Sequence, residues 1–127
     1  MSPGGSTGRA VRGLGSGREA TAHWWAQRLT SVGLLPLVLW FAYSAVGLAD
    51  ADYLTVLAWL GDHVNAVLMI LLAITLFYHA DLGLKVIVED YVHREAVKIV
   101  LLLAIHGAAF VLAMTSVLAV VRLMLGG

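Results

Sequence analysis

Beyond residue 28 the chain runs through three long apolar stretches separated by short polar ones. Leu29 to Ala49 reads LTSVGLLPLVLWFAYSAVGLA, Val64 to Leu84 reads VNAVLMILLAITLFYHADLGL, and Val97 to Val121 reads VKIVLLLAIHGAAFVLAMTSVLAVV. Each is near the ~20 residues that a helix needs to cross ~30 Å of hydrocarbon. A helix satisfies every backbone group within its own segment, as a span in lipid must. Strand-length alternation of apolar and polar residues is absent, which argues against a β-barrel. The pattern therefore predicts an all-α integral membrane protein with three transmembrane helices, at about 29–49, 64–84 and 97–121, forming one domain over 23–127.

Residues 1–22, MSPGGSTGRAVRGLGSGREATA, are rich in Gly, Ser and Arg and carry no apolar period. Such a segment buries too little surface to offset its ordering entropy, so it is expected to be mobile or docked on a partner. RGLGSGR lacks the GxGxxG spacing of a nucleotide-binding loop, and no strand precedes it. Ala49-Asp50-Ala51 looks like a signal-peptide cleavage site, but the apolar run before it exceeds the ~7–15 residues of a signal peptide.

Charge then sets an orientation. Arg9, Arg12, Arg18 and Arg28 precede the first span, and Lys85, Arg94 and Lys98 follow the second. The segment from Asp50 to His63 holds Asp50, Asp52 and Asp62 and no Lys or Arg. Because positive charge stays inside, the N-terminus is expected in the cytoplasm and the C-terminus in the periplasm. Trp24, Trp25, Tyr53, Trp59 and Tyr91 fall at the expected boundaries, as an aromatic belt would.

Composition agrees and excludes several classes. Of 127 residues, 61% are hydrophobic and 13% charged, against ~45–50% and ~25% in soluble domains. Formal net charge is zero, which speaks for no nucleic-acid partner. With no cysteine, the chain has no disulfide, no thiolate metal site and no cysteine-held iron–sulfur cluster.

Ionisable groups inside a span are costly and tend to face a bundle interior, a partner or a cofactor. His79 lies near the cytoplasmic end of the second run, with Thr75 and Gly83 one turn away on the same face. Spacing leaves two roles open for it: an axial haem ligand, since neutral imidazole binds haem iron, or a histidine hydrogen-bonded to a neighbouring helix. His106 precedes Gly107, Ala108 and Ala109, residues that favour close helix packing; a packing or hydrogen-bonded role suits it better than a second haem ligand. Asp81 and Arg28 sit at matching depth and are expected to pair. Arg28 also suits a haem propionate, because a guanidinium matches a carboxylate. Tyr91, after Asp90, is either an interfacial anchor or a hydrogen-bond donor to a carbonyl such as a quinone's.

HWWAQRLTSVGLLPL ahead of the first span, with HADLGLKVIVEDYV closing the second, resembles the small hydrophobic membrane-anchor subunit (D subunit) of succinate dehydrogenase, of alphaproteobacterial or mitochondrial-like type. The resemblance covers about His23 to Gly127. It implies a multi-pass subunit of the bacterial inner membrane, bundled with a larger anchor subunit (C subunit), that holds the flavoprotein and iron–sulfur subunits at the membrane. It implies that His79 is one axial ligand of haem b and that Tyr91, with Asp90 beside it, meets ubiquinone. Arg28 falls where the family has an arginine near the haem and quinone. Asp81 departs from the family pattern. The chain is then part of an enzyme without being catalytic alone. The alternatives are an anchor of a fumarate reductase-type enzyme, or an accessory subunit of a transporter or channel with His79, Asp81 and His106 on a proton path.

Overall fold

The computed structural model describes residues 4–126, with side chains from residue 17 onward. Helix α1 spans Gly4–Gly47, α2 Tyr53–Gly61, α3 His63–Tyr91 and α4 Glu95–Met124. The expectation for 1–22 falls largely on residues whose side chains lie outside the described part. No strand occurs among the described residues. Segments of α1, α3 and α4 are each long and apolar enough to cross a membrane.

The three expected spans are present, and the helices outrun them. At ~1.5 Å per residue the 29 residues of α3 extend for about 43 Å, well beyond ~30 Å of hydrocarbon. Lys85, Glu89 and Asp90 end the apolar run but not the helix, because a helix leaving the bilayer keeps its own backbone bonds. Pro36 stands inside α1, where it lacks the N–H that would bond Val32. Helix α4 carries Glu95 in its first turn and Arg122 in its last, each matched to the partial charge of its helix end.

Helix α2 was not foreseen. Asp52 caps it: its carboxylate accepts from the backbone N–H of Thr55 at 2.9 Å and from the Thr55 hydroxyl. One residue, Asp62, joins α2 to α3 in an extended conformation. The join is tightened by the Asn65 side-chain amide, which donates to the Trp59 carbonyl at 3.0 Å beside the Asp62 backbone N–H.

Helix α3 lies at the centre, packed against both α1 and α4, while α1 and α4 do not approach each other among the described residues. Asp81 meets His106 toward one end of the α3–α4 seam, and Ala66 meets Val120 toward the other, so the two helices run antiparallel in one register. Leu60, Ala66 and Val120 form a small core where α2 joins the bundle, packed around by Trp59, Met69, Ile70 and Leu123. Trp59 also stacks on Trp40 of α1, with ring centroids 5.6 Å apart and planes at 19°. Buried residues are few, and long rows such as Leu35, Leu39, Leu103 and Phe110 are exposed. The chain presents most of its apolar surface outward, as a span in lipid or against other subunits does.

Candidate cofactor site on the central helix

Helix α3 uses two sides for two different polar contacts. His79 and Asp81 are two residues apart, about 200° around a helix, so one turns toward α1 and the other toward α4. On the first side, His79 Nδ1 lies 2.9 Å from the hydroxyl oxygen of Thr30. That oxygen is also 2.8 Å from the carbonyl of Ala26 and 3.0 Å from that of Gln27, both in the preceding turn of α1. The ring is half-buried. One turn on, Gly83 faces open space: a Cβ built there meets nothing within 4 Å.

On the second side, His106 Nδ1 lies 2.9 Å from one carboxylate oxygen of Asp81 and 2.8 Å from the other. Asp81 is buried, whereas the His106 side chain is 74% exposed. The pair sits at the edge of a groove of about 230 Å³ walled by Phe77, Tyr78 and Phe110. His106 is thus hydrogen-bonded through one ring nitrogen.

The expected pairing of Asp81 with Arg28 does not form; the side chain that meets Asp81 is His106. The register of α1 on α3 explains this. Thr30 of α1 faces α3, and Arg28, two positions away, points elsewhere. Its guanidinium lies over the Trp24 ring, 5.2 Å from the centroid, beside an open hollow of about 400 Å³ that Gln27 and Ser31 also line. Asp90 and Tyr91 are exposed at the end of α3. Twelve residues separate Tyr91 from His79, about 18 Å along the axis, so the two do not touch. Thr30 is the member of the site that the sequence reading missed. Its signal was a hydroxyl residue within a membrane span, at the depth of a histidine on the next helix.

A donor set with a single histidine suits a metal group that takes its remaining ligands elsewhere. Among the described residues no cluster of three or more His, Asp or Glu forms a self-contained metal site. A haem would suit this pattern, with His79 to hold its iron and an open face at Gly83 beside it.

Fold and site together define a membrane protein of three spanning helices with a half-buried histidine on the central one. Residues 8–121 match the family of succinate dehydrogenase/fumarate reductase transmembrane subunits, and the chain belongs to that family. It is similar to the succinate dehydrogenase hydrophobic membrane anchor subunit of Rickettsia bellii, with 28% identity over 95 residues, 75% of this chain and 76% of that one. The succinate dehydrogenase membrane anchor subunit of Reclinomonas americana is 31% identical over 87 residues, 65% of this chain and 72% of that one. The hydrophobic membrane anchor subunit of Paracoccus denitrificans is 31% identical over 86 residues, 65% of this chain and 64% of that one. No solved structure is a significant match. The family expected from the sequence is the family found, and with its three spans the chain is a multi-pass inner-membrane protein.

Proposed function

We propose that this chain is the membrane-anchor subunit of a succinate:ubiquinone oxidoreductase, in which His79 supplies one axial ligand to a b-type haem shared with a larger anchor subunit. The observation that carries the reading is the contact of His79 Nδ1 with the Thr30 hydroxyl at 2.9 Å. Histidines that bind metals are held in this way through the other ring nitrogen. His106 contacts the opposite side of α3 through Asp81, away from His79, so the second haem ligand would come from the partner subunit.

When bound, the haem supplies one-electron redox chemistry. The chain's own residues bind and orient. His79 would hold the haem iron beside α3. Arg28, exposed on α1, offers a guanidinium to a propionate or to the quinone region. Tyr91 donates a hydrogen bond from its hydroxyl to a ubiquinone carbonyl, with Asp90 beside it, at the cytoplasmic end of α3. The N-terminus lies on the same side, where the flavoprotein and iron–sulfur subunits dock. A fumarate reductase anchor would use the same site, and its soluble partners would set the direction.

The test is a reduced-minus-oxidised spectrum of the purified complex. His79→Ala is expected to abolish or grossly alter the b-type signal; an unaltered haem in that variant would sink the ligand assignment. Tyr91→Phe is expected to slow quinone reduction while leaving the haem spectrum intact.

A further inference from the structure

The Thr30 hydroxyl makes three short contacts and has one proton. Two contacts are to backbone carbonyls, Ala26 at 2.8 Å and Gln27 at 3.0 Å, which only accept. The third is to His79 Nδ1 at 2.9 Å, which accepts or donates according to tautomer. If the hydroxyl gave its proton to Nδ1, its oxygen would face two carbonyl oxygens at hydrogen-bond distance with no proton between them. If it gives the proton back along its own helix, every contact is satisfied, and Nδ1 must be the N–H. We infer that Thr30 is a positioning residue that fixes the tautomer of His79: its hydroxyl accepts from Nδ1–H and leaves Nε2 as the bare nitrogen presented to a metal.

The hydroxyl suits this role because it is itself pinned. Threonine has few χ1 states in a helix, and one is held by the bond to the preceding turn. The ring of His79 is therefore tied, through two hydrogen bonds in series, to the backbone of α1. The acceptor is also neutral. The nearest carboxylate along α3, Asp81, faces the other way and is occupied by His106, so no anionic acceptor pulls on the His79 N–H. The ligand would then be less electron-rich than one held by a carboxylate. An acceptor on the far nitrogen raises ligand basicity, so losing the hydroxyl weakens donation to ferric iron.

This inference rests on the reading of His79 as an axial ligand, and the experiment separates the two. The purified complex is prepared with Thr30→Val, which keeps the shape and loses the hydroxyl, with Thr30→Ser, which keeps the hydroxyl, and with His79→Ala. Thr30→Val is expected to weaken haem retention by about 10–100-fold, the usual effect of removing such a supporting partner, and to move the haem potential upward. Thr30→Ser is expected to behave as the unmodified complex. If His79→Ala loses the haem but Thr30→Val keeps both potential and retention, the role of Thr30 is overturned and the ligand stands. If His79→Ala keeps an unaltered haem, the ligand reading itself falls. Electron–nuclear double resonance on the oxidised, unmodified complex gives a check that needs no variant: an exchangeable proton is expected on the remote nitrogen of this ligand, and its absence overturns the tautomer assignment.

Discussion

His106 reaches across the α3–α4 seam and sets one ring nitrogen against both carboxylate oxygens of Asp81, at 2.9 and 2.8 Å. The carboxylate is buried, so the imidazole is what keeps it from being an orphan in a membrane span. Removing only the imidazole leaves that burden in place, while removing both groups lifts it. His106→Ala is expected to destabilise the α3–α4 pair by about 1–2 kcal/mol, the scale of interhelical hydrogen bonds in membranes. Asp81→Leu on that background is expected to restore most of the loss. A double-mutant cycle on thermal unfolding in detergent measures this; strictly additive losses would show that the two residues do not act together.

Gly83 separates packing within the chain from packing on a cofactor. A Cβ there meets nothing within 4 Å, and alanine in a helix interior is favoured over glycine by about 0.5–1 kcal/mol. Gly83→Ala is therefore expected to leave the isolated chain as stable or slightly more so. In the haem-bearing complex, Gly83→Leu is expected to lower haem occupancy, read from the b-type absorbance per complex. Full occupancy with leucine would mean that the open face at Gly83 serves something else.

Asp52 gives a pH dependence outside the membrane. The hydrogen bond from the Thr55 hydroxyl, and after it that from the Thr55 backbone N–H, holds its carboxyl below the ordinary 3.8. The folded value is the depressed one. Its contribution to α2 is thus present above about 3.8 and is lost as pH falls through the lowered value. Titration of the Asp52 carboxyl by NMR in micelles is expected to give a value below 3.8 and a rise in Thr55→Val. A value unmoved by that substitution would remove the hydroxyl from the account.

The stacked pair Trp40 and Trp59 ties α1 to α2. Stacked aromatics contribute about 0.5–1.5 kcal/mol beyond their burial. Trp40→Leu and Trp59→Leu are each expected to lower the melting temperature, and the double variant to lose less than the sum. Equal and additive losses would reduce the stack to simple burial.

The sequence carried the spans because hydropathy responds directly to lipid. It did not carry helix ends: the apolar run stops at Leu84, but α3 continues to Tyr91, since hydropathy records where lipid ends rather than where backbone bonds end. Helix α2 was hidden for a related reason. It is nine residues long, too short to read as a span, and the acids around it suggested a loop, although Asp52 with Thr55 three positions on is a capping signal. The site was legible one residue at a time. His79 stood out as an imidazole in an apolar run, and His106 as a histidine among small residues. What pairs with them was not legible, because partners 49 and 25 residues away depend on helix register. A half-turn of α1 decides whether Arg28 or Thr30 faces α3, and no feature within either segment fixes that angle.

The unbroken course of α3 from His63 to Tyr91 makes the helix a protractor as much as a ruler. Inserting a single residue between His79 and Tyr91 would lengthen their separation by only ~1.5 Å, yet would swing Tyr91 by about 100° around the axis. Geometry at the membrane surface is thus slaved to geometry deep in the span. In this stretch a change of length would therefore reorient every residue beyond it.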